Sequence, residues 1–290
     1  MKRFSIGDVL IYGVLILACL ACILPFYYVA IVSVADPVAL INESLYILPR
    51  TFDLDSYKVL LEDRYLFSSI LVSVFITVVG TILSTIIVVM AGYSLSKKDM
   101  PMRQTLLMLV LISMFFGGQM IPYYILIRSL GLINSIWVLI LPLLVDPFYL
   151  IIAKNYFLGF PMGLEESARI DGANDLRVFF QIVVPTSKPL IASIALFLAV
   201  SKWNEWWHAM LFISDKSKWP MQMMLRETLA SLDSSGMSSI GKIMMSKYQS
   251  ANPLNVKMAA IMITALPILI IYPFIQKYLT KGLMVGSMKE

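Results

Sequence analysis

The sequence predicts an all-α membrane protein with six transmembrane helices, and three observations carry that prediction. Of its 290 residues, 59% are hydrophobic and only 14% charged, and the mean hydropathy is +0.81. A soluble fold of this length has no interior large enough for that much apolar side chain, so lipid is part of the solvent. The apolar residues fall in six runs of about 20 residues or more, the length needed to cross a ~30 Å hydrocarbon core. Basic residues gather at the ends of those runs, as an orientation signal does. The net charge of +5 does not point to nucleic acid, because no basic stripe is interleaved with aromatics.

The runs occupy residues 9–34, 67–95, 105–127, 136–157, 190–213 and 258–278. The first follows Lys2 and Arg3 and contains both cysteines, Cys19 and Cys22. It is too long for the ~7–15-residue apolar region of a signal peptide, so it reads as an uncleaved span. The cysteines share a helical face, but no second ligand pair exists to complete a metal site. Lys97, Lys98 and Arg103 join the second and third runs, and Lys277, Lys281 and Lys289 follow or close the sixth. The first outer loop is mainly acidic: Asp36, Glu43, Asp53, Asp55, Glu62 and Asp63 outnumber Arg50, Lys58 and Arg64. Both termini are therefore expected in the cytoplasm. The loop 214–257 is then external despite Lys216, Lys218, Arg226, Lys242, Lys247 and Lys257, since basic residues far from span ends count less. Gly117-Gly118 with Pro122, Pro142 with Pro147, and Pro267 with Pro273 are expected to break or kink spans. In a membrane such breaks are tolerated beside other helices or a water-lined cavity. Together they favour a pathway-forming bundle over a simple anchor.

Between the fourth and fifth runs lies a polar island, from Glu165 to Pro185. Leu164 to Ile170 have good helix propensity, with Glu165 and Glu166 in the first turn, where the helix dipole favours negative charge. Gly172 is placed to end that helix in the left-handed conformation, and Asn174 or Asp175 to cap a second one. Leu176, Phe179, Phe180 and Val183 fall at i, i+3, i+4 and i+7, a single helical face. The island thus reads as a helix–turn–helix on the cytoplasmic surface. A merely amphipathic interfacial loop is an alternative. DNA binding is a weaker one, since only Arg169, Arg177 and Lys188 could meet phosphate.

Glu166-Ser167-Ala168, three residues, Gly172, nine residues and Ile182-Val183-Val184-Pro185 resemble the EAA loop of ABC importer permeases. Ser167 and Val184 are the departures, and Asp171-Gly172-Ala173 also matches. Arg128-Ser129-Leu130-Gly131-Leu132-Ile133-Asn134, Leu141-Pro142 and Trp203-Asn204-Glu205-Trp206 are similar to segments of carbohydrate-importer permeases. Ala265-Leu266-Pro267, residues 276–282 and the tail from Gly286 to Lys289 resemble the maltose-type second permease subunit. Gly117 to Pro122 resembles the branch handling polysaccharides and complex oligosaccharides.

The resemblance implies a type I ABC importer permease fold. In it, residues 1–66 form the N-terminal span and first external loop, and 67–290 a core domain with a coupling loop 158–189 and the external loop 214–257. It implies that Glu165, Glu166, Ser167, Ala168, Asp171, Gly172, Ala173, Ile182 and Pro185 meet a cytoplasmic ATPase dimer. Glu166 would pair with a basic group there, and Ala168 and Gly172 would permit close approach. The tail, through Gly286, Ser287 and Lys289, either reaches the same ATPase or ends in solvent. The implied partners are a second homologous permease chain, the ATPase and an extracellular sugar-binding protein, in a bacterial cell membrane. This chain would bind no cofactor, and ATP and Mg would sit on the ATPase.

Trp203, Asn204, Glu205 and Trp206 are candidates for the substrate path, because aromatic faces stack on sugars and polar groups bind hydroxyls. Packing between helices is the other reading of the tryptophans. An intramembrane acid such as Glu205 usually faces a cavity or a partner. The single histidine, His208, has no partner spaced for a zinc site and reads as a packing or boundary residue. No nucleophile elbow and no phosphate-cradling loop occur. A membrane-embedded enzyme is thereby the weaker rival, and a self-sufficient channel or secondary transporter the stronger.

Overall fold

The computed structural model describes residues 6–37, 40, 51–115, 119–233, 240, 243, 247–248 and 252–287. Those residues are overwhelmingly helical, and the extended pairing among them is a single bridge between Ala35 and Phe52. The helices are α1 (Ile6–Ser33), α2 (Asp55–Leu61), α3 (Leu66–Ser96), α4 (Arg103–Phe115) and α5 (Met120–Ser129). After two 3-10 turns (Ile136–Leu139 and Leu141–Leu143) come α6 (Pro147–Leu158), α7 (Met162–Ile170), α8 (Asp175–Thr186), α9 (Lys188–Trp203), α10 (Trp207–Phe212), α11 (Met221–Asp233) and α12 (Pro253–Ser287).

Among the described residues, four segments are long and apolar enough to cross a membrane alone: Leu10–Ser33, Leu66–Ser96, Ile136–Leu158 and Pro253–Ile271. The number rises to six if each of two bent helix pairs makes one span. Three expected spans are not single straight helices. The third is α4 and α5, bent by 119°, and Gly117 and Gly118, expected to break it, lie outside the described residues. The fourth opens with 3-10 turns around Pro142 before α6, whose N-terminus is capped by Asp146 accepting from the Phe148 N–H at 2.9 Å. The fifth stops at Trp203, breaks at 204–206 and resumes as α10. α3, by contrast, runs unbroken for 31 residues, about 46 Å at 1.5 Å per residue.

The chain divides into two compact units, residues 1–67 with 224–267 and residues 68–223 with 268–290. The first therefore joins the N-terminal segment to part of the loop and helix that precede the C-terminus. Its core is Val59, Leu60, Ile240, Val256, Ala259 and Ala260. Asn255 is buried and donates to the carbonyls of Val32 and Ala35, at 3.0 and 2.7 Å. Side chains from Leu10 to Phe26 on α1 remain exposed around the helix, the pattern of a surface solvated by lipid.

The second unit has two cores at opposite ends of α3. Val72 and Ile76 pack with Ile127, Val138, Leu139, Ile140, Ala209 and Phe212. Val88, Val89, Tyr93 and Leu95 pack with Leu150, Ala153, Phe157, Ala168, Val178, Phe179 and Val183. Close approach at the latter end depends on Gly92: a Cβ there would lie 2.6 Å from the Ala153 Cβ and 3.0 Å from the Lys154 backbone nitrogen. Small residues let helix backbones approach in this way.

Candidate functional site

The polar island folds as the helix–turn–helix that its caps predict. α7 ends in a left-handed glycine, with Gly172 at φ +82°. The Gly172 N–H donates to the Arg169 carbonyl at 3.0 Å, and the Ala173 N–H to that of Ala168 at 2.9 Å. This is the double closure of a Schellman motif, which satisfies carbonyls the helix end leaves open. Asn174, rather than Asp175, caps α8: its side chain accepts from the Arg177 N–H at 2.9 Å. Asp175 instead bonds Arg169 at 2.8 Å across the turn.

One expectation for α8 is overturned. Val178, Phe179 and Val183 are buried, whereas Leu176 and Phe180 are exposed. The helix contains a π-helical turn over Phe179–Val183. The inward side is the neighbouring arc of Val178, Phe179, Ile182 and Val183, which leaves Leu176 and Phe180 facing out. Ile182 is half-buried and Pro185 exposed at its far end.

The two glutamates of α7 point to different surroundings. Glu165 is only 7% exposed and pairs with Lys97, which follows α3. The Lys97 ammonium also lies 4.4 Å from the centroid of the Tyr93 ring. Glu166, Ser167, Arg169, Asp171 and Gly172 are exposed. Ala168 faces inward, in the core with Tyr93 and Phe179, so its small size serves packing within this chain. Ile170, which no sequence motif singles out, is 86% exposed at the tip of α7. The tail residues Gly286 and Ser287 form the last turn of α12, and Lys289 lies outside the described residues.

The second cluster surrounds the break in the fifth span. Trp203 is buried, Asn204 exposed, and Glu205 and Trp206 half-buried. The Asn204 amide donates to the Val200 carbonyl at 2.9 Å and its oxygen accepts from Gln222 at 3.1 Å. The Glu205 carboxylate accepts from the His208 backbone N–H at 2.8 Å and meets the ring Nδ1 at 3.0 Å. His208 is therefore a polar partner of Glu205 as well as a packing residue beside Tyr123 and Phe212. Lys202, absent from the candidates that the sequence suggests, is 3% exposed and donates to the Leu143 carbonyl at 2.7 Å. Its stem runs beside Gly80, where a Cβ would lie 3.3 Å from the Lys202 Cδ. The signal was legible: a lysine inside an apolar run carries the same cost that singles out Glu205. Lys97 carried no comparable signal, since its partner lies 68 positions away. Among the described residues no group of three or more His, Cys, Asp and Glu could hold a metal.

No protein-family model matches the chain. It is 44% identical over 285 residues to the polygalacturonan/rhamnogalacturonan transport system permease protein YtcP of Bacillus subtilis (strain 168), covering 97% of this chain and 98% of that one. It is 29% identical over 248 residues to the arabinooligosaccharides transport system permease protein AraQ of the same organism, covering 83% and 80%. A crystal structure of a bacterial ABC transporter importing the acidic polysaccharide alginate contains a chain that superposes with a TM-score of 0.85 at 28% identity. That match covers 96% of this chain and 99% of the other. Similarity of this extent, on a helical chain with several membrane-length apolar segments, places it among multi-pass transport proteins and not among enzymes. The chain belongs to the family of permease subunits of ABC sugar transporters.

Proposed function

We propose that this chain is one of two homologous permeases in an importer that carries oligosaccharides or polysaccharide fragments across a bacterial cell membrane. An extracellular binding protein delivers the sugar, and a cytoplasmic ATPase dimer binds ATP with Mg. Both termini of this chain face the cytoplasm. The names of YtcP and AraQ and the alginate importer support a carbohydrate cargo. The observation that carries the coupling role is α7: a short helix, closed by a left-handed glycine, with an inner side in the core and an outer side open. Closure of the ATPase pushes that outer side, and the packed inner side passes the motion to the spans.

On the outer side an ion pair from Glu166 contributes about 0–1 kcal/mol. The fit of Ile170 and the turn at Gly172 therefore matter more than the charge. In the fifth span, Asn204, Glu205 and Trp206 line the sugar path, with Trp206 and Trp207 edge to face at 5.5 Å. Trp203, buried, holds the helix in place.

The test is purification through a tag on this chain, followed by reconstitution in liposomes. An ATPase and a second six-span chain are expected to co-purify, and uptake of galacturonate or arabinose oligosaccharides to require ATP. Gly172→Asp should lower uptake on the order of tenfold or more, a loss of about 1.4 kcal/mol or more in coupling. Transport by the purified chain alone, without ATP, would establish a channel or secondary transporter instead.

A further inference from the structure

We infer that Glu165 and Lys97 form a latch that makes α7 and the end of α3 one mechanical body, with Glu165 a positioning residue for coupling. The inference rests on the coupling role proposed above and says where the motion goes. A helix of nine residues moves a span only if it is fastened to it. Two adjacent glutamates divide that work: Glu166 is exposed on the outer side, while Glu165 is turned into the chain.

The receiving side is built for the contact. Lys97 directly follows α3, and its backbone N–H still donates to the Ser94 carbonyl at 3.1 Å, continuing the helix. Arg103, the first residue of α4, donates from Nε to the Leu95 carbonyl at 2.8 Å. The short connector 97–102 is thus closed onto α3. The Lys97 ammonium sits between the Glu165 carboxylate and the Tyr93 ring face. Tyr93 meets Phe157 of α6 edge to face at 5.6 Å and Phe179 of α8 at 5.3 Å.

One cation therefore stands where the second span, the fourth span and both helices of the island converge. The apolar contacts beneath it would tolerate small sliding, because they are not directional. A charge-assisted hydrogen bond fixes direction as well as distance. A push on α7 is thereby delivered to α3, the longest unbroken helix of the second unit's core.

The experiment uses the co-purified complex with Cys19→Ala and Cys22→Ala, and spin labels at Ser94→Cys and Leu164→Cys, both exposed positions. Their separation is measured without nucleotide and with MgATP trapped by vanadate. With Lys97 intact the distance is expected to be the same in both states, since the two helices move together. With Lys97→Gln it should shift or split when nucleotide binds, and Lys97→Arg should restore the single nucleotide-independent distance. A merely structural role would change yield or melting temperature without making the distance depend on nucleotide. A Lys97→Gln complex whose distance stays nucleotide-independent overturns the latch and leaves the coupling reading standing. A chain that purifies without any ATPase overturns the coupling reading and the latch with it.

Discussion

At the scale of single residues, two positions have effects that geometry decides. Gly172 sits at φ +82°, and no atom lies within 4 Å of the point a Cβ would occupy. Backbone conformation, not crowding within this chain, is therefore what a side chain would violate. Gly172→Ala should destabilise the end of α7 by about 1–2 kcal/mol. Gly172→Asn should do so less, because asparagine visits the left-handed region. Hydrogen exchange of the α7 amides measures the difference: protection should fall in the order Gly, Asn, Ala. Glu205 is the second position. Its carboxylate caps the N-terminus of α10 through the His208 N–H and bonds the His208 ring. Glu205→Ala should cost about 0.5–2 kcal/mol, seen as a lower melting temperature of the purified complex. Glu205→Gln keeps an acceptor oxygen and should lose clearly less. If the two variants melt alike, the cap is not what Glu205 contributes.

At the scale of elements, the contact between α3 and α6 is the sharpest case. A methyl group at Gly92 would meet both the Ala153 side chain and the Lys154 backbone, and backbone cannot swing aside. Gly92→Ala should therefore destabilise by about 1–3 kcal/mol. Ala153→Gly added to it should recover part of the loss by removing the 2.6 Å conflict. Thermal melting of the single and double variants checks this, and strict additivity would argue against a direct contact. Outside the spans, Glu62 closes α2 and bonds Lys247 at 2.9 Å and Tyr248 at 3.0 Å. Those bonds hold its carboxyl below the usual carboxylate range. A depressed folded value means that the stabilisation is present above the unfolded pKa, about 4.3, and is lost as pH falls through the lower folded value. The group is exposed, so the effect should be small and should fade in high salt. A pH-stability profile in which Glu62→Gln matches the parent at every pH would show that the bonds contribute nothing.

At the scale of the whole molecule, charge sets the expected orientation. Lys2, Arg3, Lys97, Lys98 and Arg103 are expected on one side of the membrane and the acidic first loop on the other. A fluorescent protein fused after Glu290 should light up in the cytoplasm, and alkaline phosphatase inserted in the loop 214–257 should be active outside. The reverse pair of results would invert the assignment and remove the island from reach of any cytoplasmic ATPase. Much of the architecture was legible because its signals are local. Apolar length announces a span, a glycine after a short amphipathic helix announces its end, and Asn174 announces a cap. That the third and fourth spans break was legible in Gly117-Gly118, Pro122, Pro142 and Pro147, but the form of each break, and the break in the fifth span, was not. There the bend, the 3-10 turns and the break at 204–206 depend on which neighbours satisfy the freed backbone groups.

By itself the sequence determined that this is a helical membrane protein, that a capped helix pair interrupts its spans, and that the spacing of that pair matches importer permeases. These are properties of neighbouring residues and of composition, which need no third dimension to be read. Only the tertiary structure decided that Glu165 turns in while Glu166 turns out, that Val178 lies in the buried face of α8 and Leu176 and Phe180 outside it, and that Lys202 reaches the Leu143 carbonyl. Each depends on which distant part of the chain packs against the group. The free energy of such a contact depends on packing around both partners, which no local pattern contains.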